Sequence, residues 1–192
     1  MTALDPVACG CFLLLAFVFA GIAQTVWFAS PASARFNQPL DGQLTFRGRR
    51  MFGDNKTIRG FIVMVPASGA AFALLALLAG DPAALGLWHL SVPGYVMAGA
   101  LAGMGFMAGE LPNSFVKRQL DIAPGEAPRG GIPATLHFLV DRLDSGIGML
   151  LALGLLVPVT WTTVAAVLTA GPFLHWSFSV LMFRLGLKGR PA

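Results

Sequence analysis

Long uncharged stretches alternate with polar, glycine-containing stretches along the chain, and this alternation predicts membrane-spanning helices. A helix needs about 20 mostly apolar residues to cross the hydrocarbon core of a bilayer. Five segments reach or approach that length, so we expect an all-α polytopic membrane protein with one domain over residues 1–192. The predicted spans are residues 7–28, 61–79, 92–108, 136–157 and 159–185. The fourth is long enough only if it includes charged residues at its start.

The composition supports this interpretation. Apolar residues make up 56% of the chain and charged residues only 11%, whereas a soluble domain carries roughly 25% charged residues. So few charges cannot solvate the surface of a globule of this size, which excludes a water-soluble protein. The same shortage of charge excludes a disordered chain.

The lysines and arginines are confined to three segments. Residues 30–60 hold six of the 13, residues 109–146 hold four, and the C-terminal tail holds three. Five crossings place these three segments on one face of the membrane. The positive-inside rule makes that face cytoplasmic, so we predict an integral cell-membrane protein with its N-terminus outside and its C-terminus inside.

Polar residues that share a helix face follow the third span. If a helix begins after Pro112, three- and four-residue spacings place several polar side chains on one face of the helix. They are Glu110, Asn113, Ser114, Lys117 and Asp121. Arg118 lies beside that face, one residue after Lys117. Ionisable groups at membrane depth point to function. The alternative is an amphipathic helix capped by Asn113 or Ser114 and anchored at the headgroups.

Two carboxylates open the fourth span. Asp141 and Asp144 are three residues apart, so a helix presents both on one side. Close carboxylates repel one another unless a cation lies between them, and Mg²⁺ binds through one or two carboxylates plus substrate phosphates. The alternative is a surface salt-bridge set with Arg142 at a helix N-terminus.

A basic, glycine-containing stretch precedes the second span at residues 48–61. Its donors are of the kind that phosphate requires. They are Asn55, Lys56, Thr57 and Arg59. An ordinary positive-inside loop explains the charge but not this clustering. All three polar clusters fall on the predicted cytoplasmic side and together indicate one site there.

His175, in the fifth span, is predicted to hydrogen-bond to a neighbouring helix rather than to bind a metal.

These residues resemble known signatures. Ser114-Phe-Val-Lys117-Arg118 followed by Asp141-Arg142-Leu-Asp144 is similar to the motif of CTP:phosphatidate cytidylyltransferases, the CDP-diacylglycerol synthases. The stretch 48–61 resembles the smaller CDP-archaeol synthases, with Ile58 where that branch has tryptophan. The resemblance runs from about residue 41 to residue 151.

The resemblance implies a membrane cytidylyltransferase that transfers CMP from CTP to a glycerol-based lipid phosphate. Asp141 and Asp144 would hold Mg²⁺, and they would form the catalytic set with Lys56, Lys117 and Arg118. The residues expected to bind substrate are Asn55, Thr57, Arg59, Glu110, Asn113, Ser114 and Arg142. Glu110 is either a further metal ligand or the partner of a lysine.

The implied partners are CTP, a lipid phosphate and membrane lipids. Nucleic acid is not expected, and homo-oligomerisation stays open. Two other functions remain: a small transporter or channel subunit, and an inactive scaffold of the same fold. A transporter should carry polar residues near the middle of the membrane and often an inverted repeat. The predicted spans are nearly free of ionisable groups, and no repeat is visible.

Overall fold

The computed structural model of the protein describes residues 3–123 and 131–187. Within these ranges the chain forms five long helices and a very short antiparallel hairpin. The helices are α1 (Pro6–Ala29), α2 (Ile58–Ala79), α3 (Val92–Gln119), α4 (Gly131–Gly154) and α5 (Trp161–Arg184). A 3-10 helix, Pro31–Phe36, follows α1, and the hairpin pairs β1 (Thr45–Phe46) with β2 (Arg49–Arg50). The predicted all-α architecture is confirmed.

Four of the described helices, α1, α2, α3 and α5, are long and apolar enough to cross a membrane by length and composition. Helix α4 has comparable length, but it carries Asp141, Arg142 and Asp144 near its middle. The fourth span therefore includes its charges, as the sequence predicted. It begins at Gly131 and ends at Gly154, a few residues earlier than expected.

Helix α3 differs from the prediction. It is one continuous helix of 28 residues that passes through Pro112, whereas the sequence suggested a span ending near residue 108 and a new helix after the proline. Proline removes one backbone hydrogen bond, and helices in membrane proteins tolerate that loss. The helix ends before Asp121, which has a positive φ of 56° and pairs with Arg49. Asp121 therefore does not share the face of Glu110 and Lys117.

Long-range hydrogen bonds show which loops share an end of the bundle. The backbone N–H of Asp5 donates to the Gly86 carbonyl at 2.8 Å, and the Trp88 indole donates to the Pro158 carbonyl at 2.8 Å. The N-terminus, the α2–α3 loop and the α4–α5 turn therefore lie together, and these are the segments without basic residues. The basic loop 37–57 lies at the opposite end, against the C-terminus of α3.

Glycines on α3 allow very close packing on both sides. A Cβ atom on Gly99 would lie 2.4 Å from the Ser68 carbonyl oxygen of α2, and one on Gly109 would lie 2.4 Å from the Asp144 carbonyl oxygen of α4. Small residues at a helix interface let membrane helices approach closely. The contact between α3 and α4 therefore sets the position of the Asp144 backbone relative to the polar face of α3.

We expect Gly109→Ala to destabilise the protein by about 1–3 kcal/mol, the usual effect of an added methyl group in a filled interface. The helices must separate to admit the methyl group, so activity should fall as well. Gly154→Ala is the matched control, because a Cβ atom there meets nothing within 4 Å. Equal midpoints of denaturant unfolding for the two variants would contradict the packing argument.

Candidate active site

Asp41 organises the loop between α1 and α2. Its buried carboxylate accepts hydrogen bonds from the backbone N–H groups of Gln43, Phe52 and Gly53 at 3.0–3.2 Å. The Arg50 guanidinium donates to it at 2.7 Å. These bonds fold residues 41–53 around one anion and lead the chain directly into Lys56.

The electrostatics of Asp41 suit this role. Burial by itself would raise the pKa of Asp41, but the hydrogen bonds from Arg50 and from the three backbone N–H groups outweigh burial. The pKa of Asp41 therefore lies well below its usual range. Its charge is present throughout the physiological pH range.

We expect Asp41→Asn to lower the free energy of unfolding by about 2 kcal/mol, the scale of hydrogen bonds to a charged group. Because the folded-state pKa is depressed, the stabilisation is complete above the unfolded value of about 4 and is lost as the pH falls below it. The difference in the free energy of unfolding between the wild type and the variant should therefore become smaller in acid. Asp54→Asn, at an exposed partner of Arg50, is the control. A deficit that is independent of pH would contradict this account.

Lys56 forms a partly buried ion pair with Glu110 of α3. The hydroxyl of Ser145 on α4 donates to the Glu110 carboxylate at 2.8 Å. His175 Nε2 on α5 lies 3.9 Å from the same carboxylate. Glu110 is therefore the partner of a lysine, one of the two roles predicted for it, and it joins the loop to three helices. His175 faces α3, but its distance from Glu110 is longer than the hydrogen bond to a neighbouring helix that the sequence predicted.

A second group lies beside this pair. The Asn113 amide nitrogen donates to Asp141 Oδ1 at 2.5 Å and to Asp144 Oδ2 at 3.0 Å. Lys117 Nζ contacts both oxygens of Asp141 at 2.5 Å. The two carboxylates predicted from the sequence therefore converge on a single point between α3 and α4.

The donor set fits a hard divalent cation. Oxygens of Asp141 and Asp144 both lie within 3.0 Å of one nitrogen atom, so both can reach a common ligand. Within residues 3–123 and 131–187, no group of three or more His, Cys, Asp or Glu side chains is arranged to hold a metal by itself. Two carboxylates completed by substrate phosphates and water are a usual arrangement for Mg²⁺.

The structure brings some of the predicted site residues into direct contact and leaves others apart. Those in contact are Lys56, Glu110, Asn113, Lys117, Asp141 and Asp144. Arg59 instead stacks over the Phe28 ring at 4.4 Å. Asn55 is exposed, whereas Thr57 and Ser114 are buried.

Arg118 is a buried cation, only 8% exposed. Its Nε atom has no hydrogen-bond partner among the residues that the structure describes. A buried N–H group without a hydrogen-bond acceptor is costly, so an acceptor for this atom would stabilise the side chain. It lies in the last turn of α3, next to Lys117.

An apolar cavity of about 70 Å³ lies beside the polar cluster, between α1, α4 and α5. Its walls are largely aliphatic and aromatic, including Leu13, Phe17 and Leu168. Four polar side chains also line it. They are Gln24, Arg142, Ser145 and His175. Because Ser145 and His175 also face Glu110, the cavity begins at the charged site and extends into the bundle.

Sequence reasoning missed two contributors, Asp41 and Ser145, and placed His175 in a contact between helices rather than in the site. Asp41 acts on backbone N–H groups, which no spacing of side chains reveals. Ser145 directly follows the second carboxylate, and its proximity was the available signal. His175 is an ionisable group inside a predicted span, which is itself a sign of function.

The fold and the site define a polytopic helical membrane protein with a cluster of ionisable side chains at one end of its bundle. The sequence pattern of the CarS-like CDP-archaeol synthase family matches residues 13–191. The CDP-archaeol synthase of Methanopyrus kandleri is 34% identical over 183 residues, covering 88% of this chain and 93% of the relative. That of Aeropyrum pernix is 35% identical over 166 residues, covering 85% and 83% respectively.

A solved structure, of an intramembrane enzyme for archaeal membrane lipids biosynthesis, is also similar. It superposes with a TM-score of 0.60 at 27% identity and covers 86% of this chain and 89% of its own. The chain therefore belongs to the CDP-archaeol synthase family.

Proposed function

We propose that this protein transfers CMP from CTP to a glycerol-based lipid phosphate, releasing a CDP-lipid and pyrophosphate. The observation that carries the proposal is the convergence of Asp141, Asp144 and Lys117 beside the Lys56–Glu110 ion pair, next to an apolar cavity of the helix bundle. Membership of the CDP-archaeol synthase family supports the same reaction.

The chemistry needs no general base. An oxygen of the lipid phosphate, already an anion at neutral pH, attacks the α-phosphorus of CTP, and the bond from that phosphorus to the pyrophosphate oxygen breaks. The difficulty is to bring two polyanions together, so catalysis rests on positioning and charge neutralisation. Lys56, Lys117 and Arg118 supply positive charge within the site.

Asp141 and Asp144 would hold Mg²⁺ together with phosphate oxygens of CTP. When bound, such an ion neutralises charge on the triphosphate and on the departing pyrophosphate. Lys117 now pairs with Asp141. At this position its ammonium group would supply positive charge to a phosphate oxygen of CTP.

The lipid phosphate enters from the side of the cavity. Arg142 and His175 on its wall are cationic or hydrogen-bonding groups for the phosphate, and the apolar lining receives the first part of the tails. The names of the relatives point to an ether-linked isoprenoid glycerol phosphate. Apolar contacts distinguish one lipid tail from another by only about 1–3 kcal/mol per group, whereas hydrogen bonds to the base distinguish CTP from ATP more sharply.

A substrate panel tests the proposed function. Purified protein with Mg²⁺ would be given labelled CTP or ATP and glycerol lipid phosphates with ether-linked isoprenoid or ester-linked acyl tails. We expect CDP-lipid from several tails, with CTP strongly preferred over ATP. Equal use of the two nucleotides, or no product with any glycerolipid phosphate, would refute the proposal.

We also propose that the site faces the cytoplasm, with the N-terminus outside and the C-terminus inside. The support is the location of the basic loop 37–57 at the end of the bundle opposite Asp5 and Trp88. Topology reporters fused after Ala84 and at the C-terminus should give opposite answers, with the C-terminal fusion cytoplasmic. The same answer from both fusions would contradict five crossings.

A further inference from the structure

The two oxygens of the Glu110 carboxylate have different partners. Oε2 accepts from Lys56, while Oε1 accepts from Ser145 Oγ at 2.8 Å and lies 3.9 Å from His175 Nε2. Ser145 is buried, at 3% exposure. The ring of His175 also meets Phe106 edge-on, with 6.2 Å between the ring centroids. The side of Glu110 that faces away from the lysine is therefore held by α4 and α5.

We propose that Ser145 and His175 are positioning residues that orient Glu110 and, through it, fix the Lys56 ammonium for CTP. This inference rests on the proposed function. A carboxylate can rotate about its last bond, and contacts to Oε1 restrict that rotation so that Oε2 stays directed at Lys56. A lysine side chain loses conformational entropy when it is fixed in one position. If Glu110 already holds Lys56, CTP binding has less of that entropy loss to offset.

The first experiment measures the freedom of Lys56 without requiring turnover. The chain contains only three lysines, Lys56, Lys117 and Lys188. Brief acylation of the full-length protein in detergent, followed by peptide mass spectrometry, gives the rate for Lys56 relative to Lys188. We expect Ser145→Ala to raise this ratio about fivefold, the factor that corresponds to one lost hydrogen bond. His175→Phe removes a longer polar contact and should raise the ratio by a smaller factor.

Matched variants separate this effect from a general loosening of the fold. His175→Gln keeps a donor and should stay nearer to the wild-type ratio. Ser177→Ala removes a hydroxyl that bonds to its own helix, and His89→Gln alters an exposed histidine. Neither control should change the labelling. An unchanged ratio in both Ser145→Ala and His175→Phe would overturn the inference.

Kinetics supply the second readout. Ser145→Ala should raise the KM for CTP about fivefold, again the scale of one hydrogen bond, and change the KM for the lipid phosphate by a smaller factor. In a Lys56→Ala background the same substitution should have no further effect. An effect that persists in that background would overturn the inference. A wild-type protein without turnover would refute the proposed function alone, because the labelling ratio still decides the role of Ser145 and His175.

Discussion

Exchanging Asp144 for asparagine is expected to abolish Mg²⁺-dependent turnover while leaving the protein folded. The amide keeps the size of the side chain but removes the charge that a cation requires. Residues that only support metal ligands already contribute about 10–100-fold, so a ligand itself should contribute more. Asp141→Asn should behave in the same way, because its Oδ1 meets the same Asn113 nitrogen as Asp144.

The measurement is turnover as a function of Mg²⁺ concentration, with unfolding midpoints recorded for each variant. Asp81→Asn is the control, since Asp81 caps a turn in the loop at the opposite end of the bundle. Full activity in either variant would support the alternative in which the two carboxylates only form salt bridges and hold no metal.

Lys56→Ala and Lys117→Ala should each lose about 2 kcal/mol or more of transition-state stabilisation, the scale of one preorganised electrostatic group. Each lysine is held by a carboxylate within the site. The loss should appear in kcat/KM for CTP. Arg35→Ala should have little effect, because Arg35 is exposed on the 3-10 helix. If all three variants lost the same activity, the cations would act through their overall positive charge rather than by contacting the substrate at defined positions.

The helices could be predicted because the bilayer imposes a length. Uncharged stretches of about 20 residues gave α1, α2 and α5 nearly complete. The C-terminal part of α3 could not be delimited, because Pro112 is a usual stop signal in a soluble helix and a tolerated residue in this one.

The site could be predicted only in part. The three-residue spacing of Asp141 and Asp144 correctly placed both on one side of a helix. Pairings such as Lys56 with Glu110, 54 residues apart, depend on how the loop folds over the helices, and periodicity carries no information about that. The resemblance to known signatures selected these residues, but the contacts between them came from the packing.

Asp41 illustrates the remaining gap. Its partners are mainly backbone N–H groups of the loop 41–53, and any residue type supplies such groups. A sequence pattern therefore cannot identify them, although the loop geometry that delivers Lys56 depends on this one carboxylate.

The most direct test of the central claim follows the phosphorus atoms of CTP. Purified protein, Mg²⁺ and an ether-linked isoprenoid glycerol phosphate would be incubated with CTP labelled at either the α- or the γ-phosphate. The account predicts that the α-label enters the lipid product while the γ-label leaves in pyrophosphate. Transfer of the γ-label to the lipid, or retention of both labels in CTP, would contradict it.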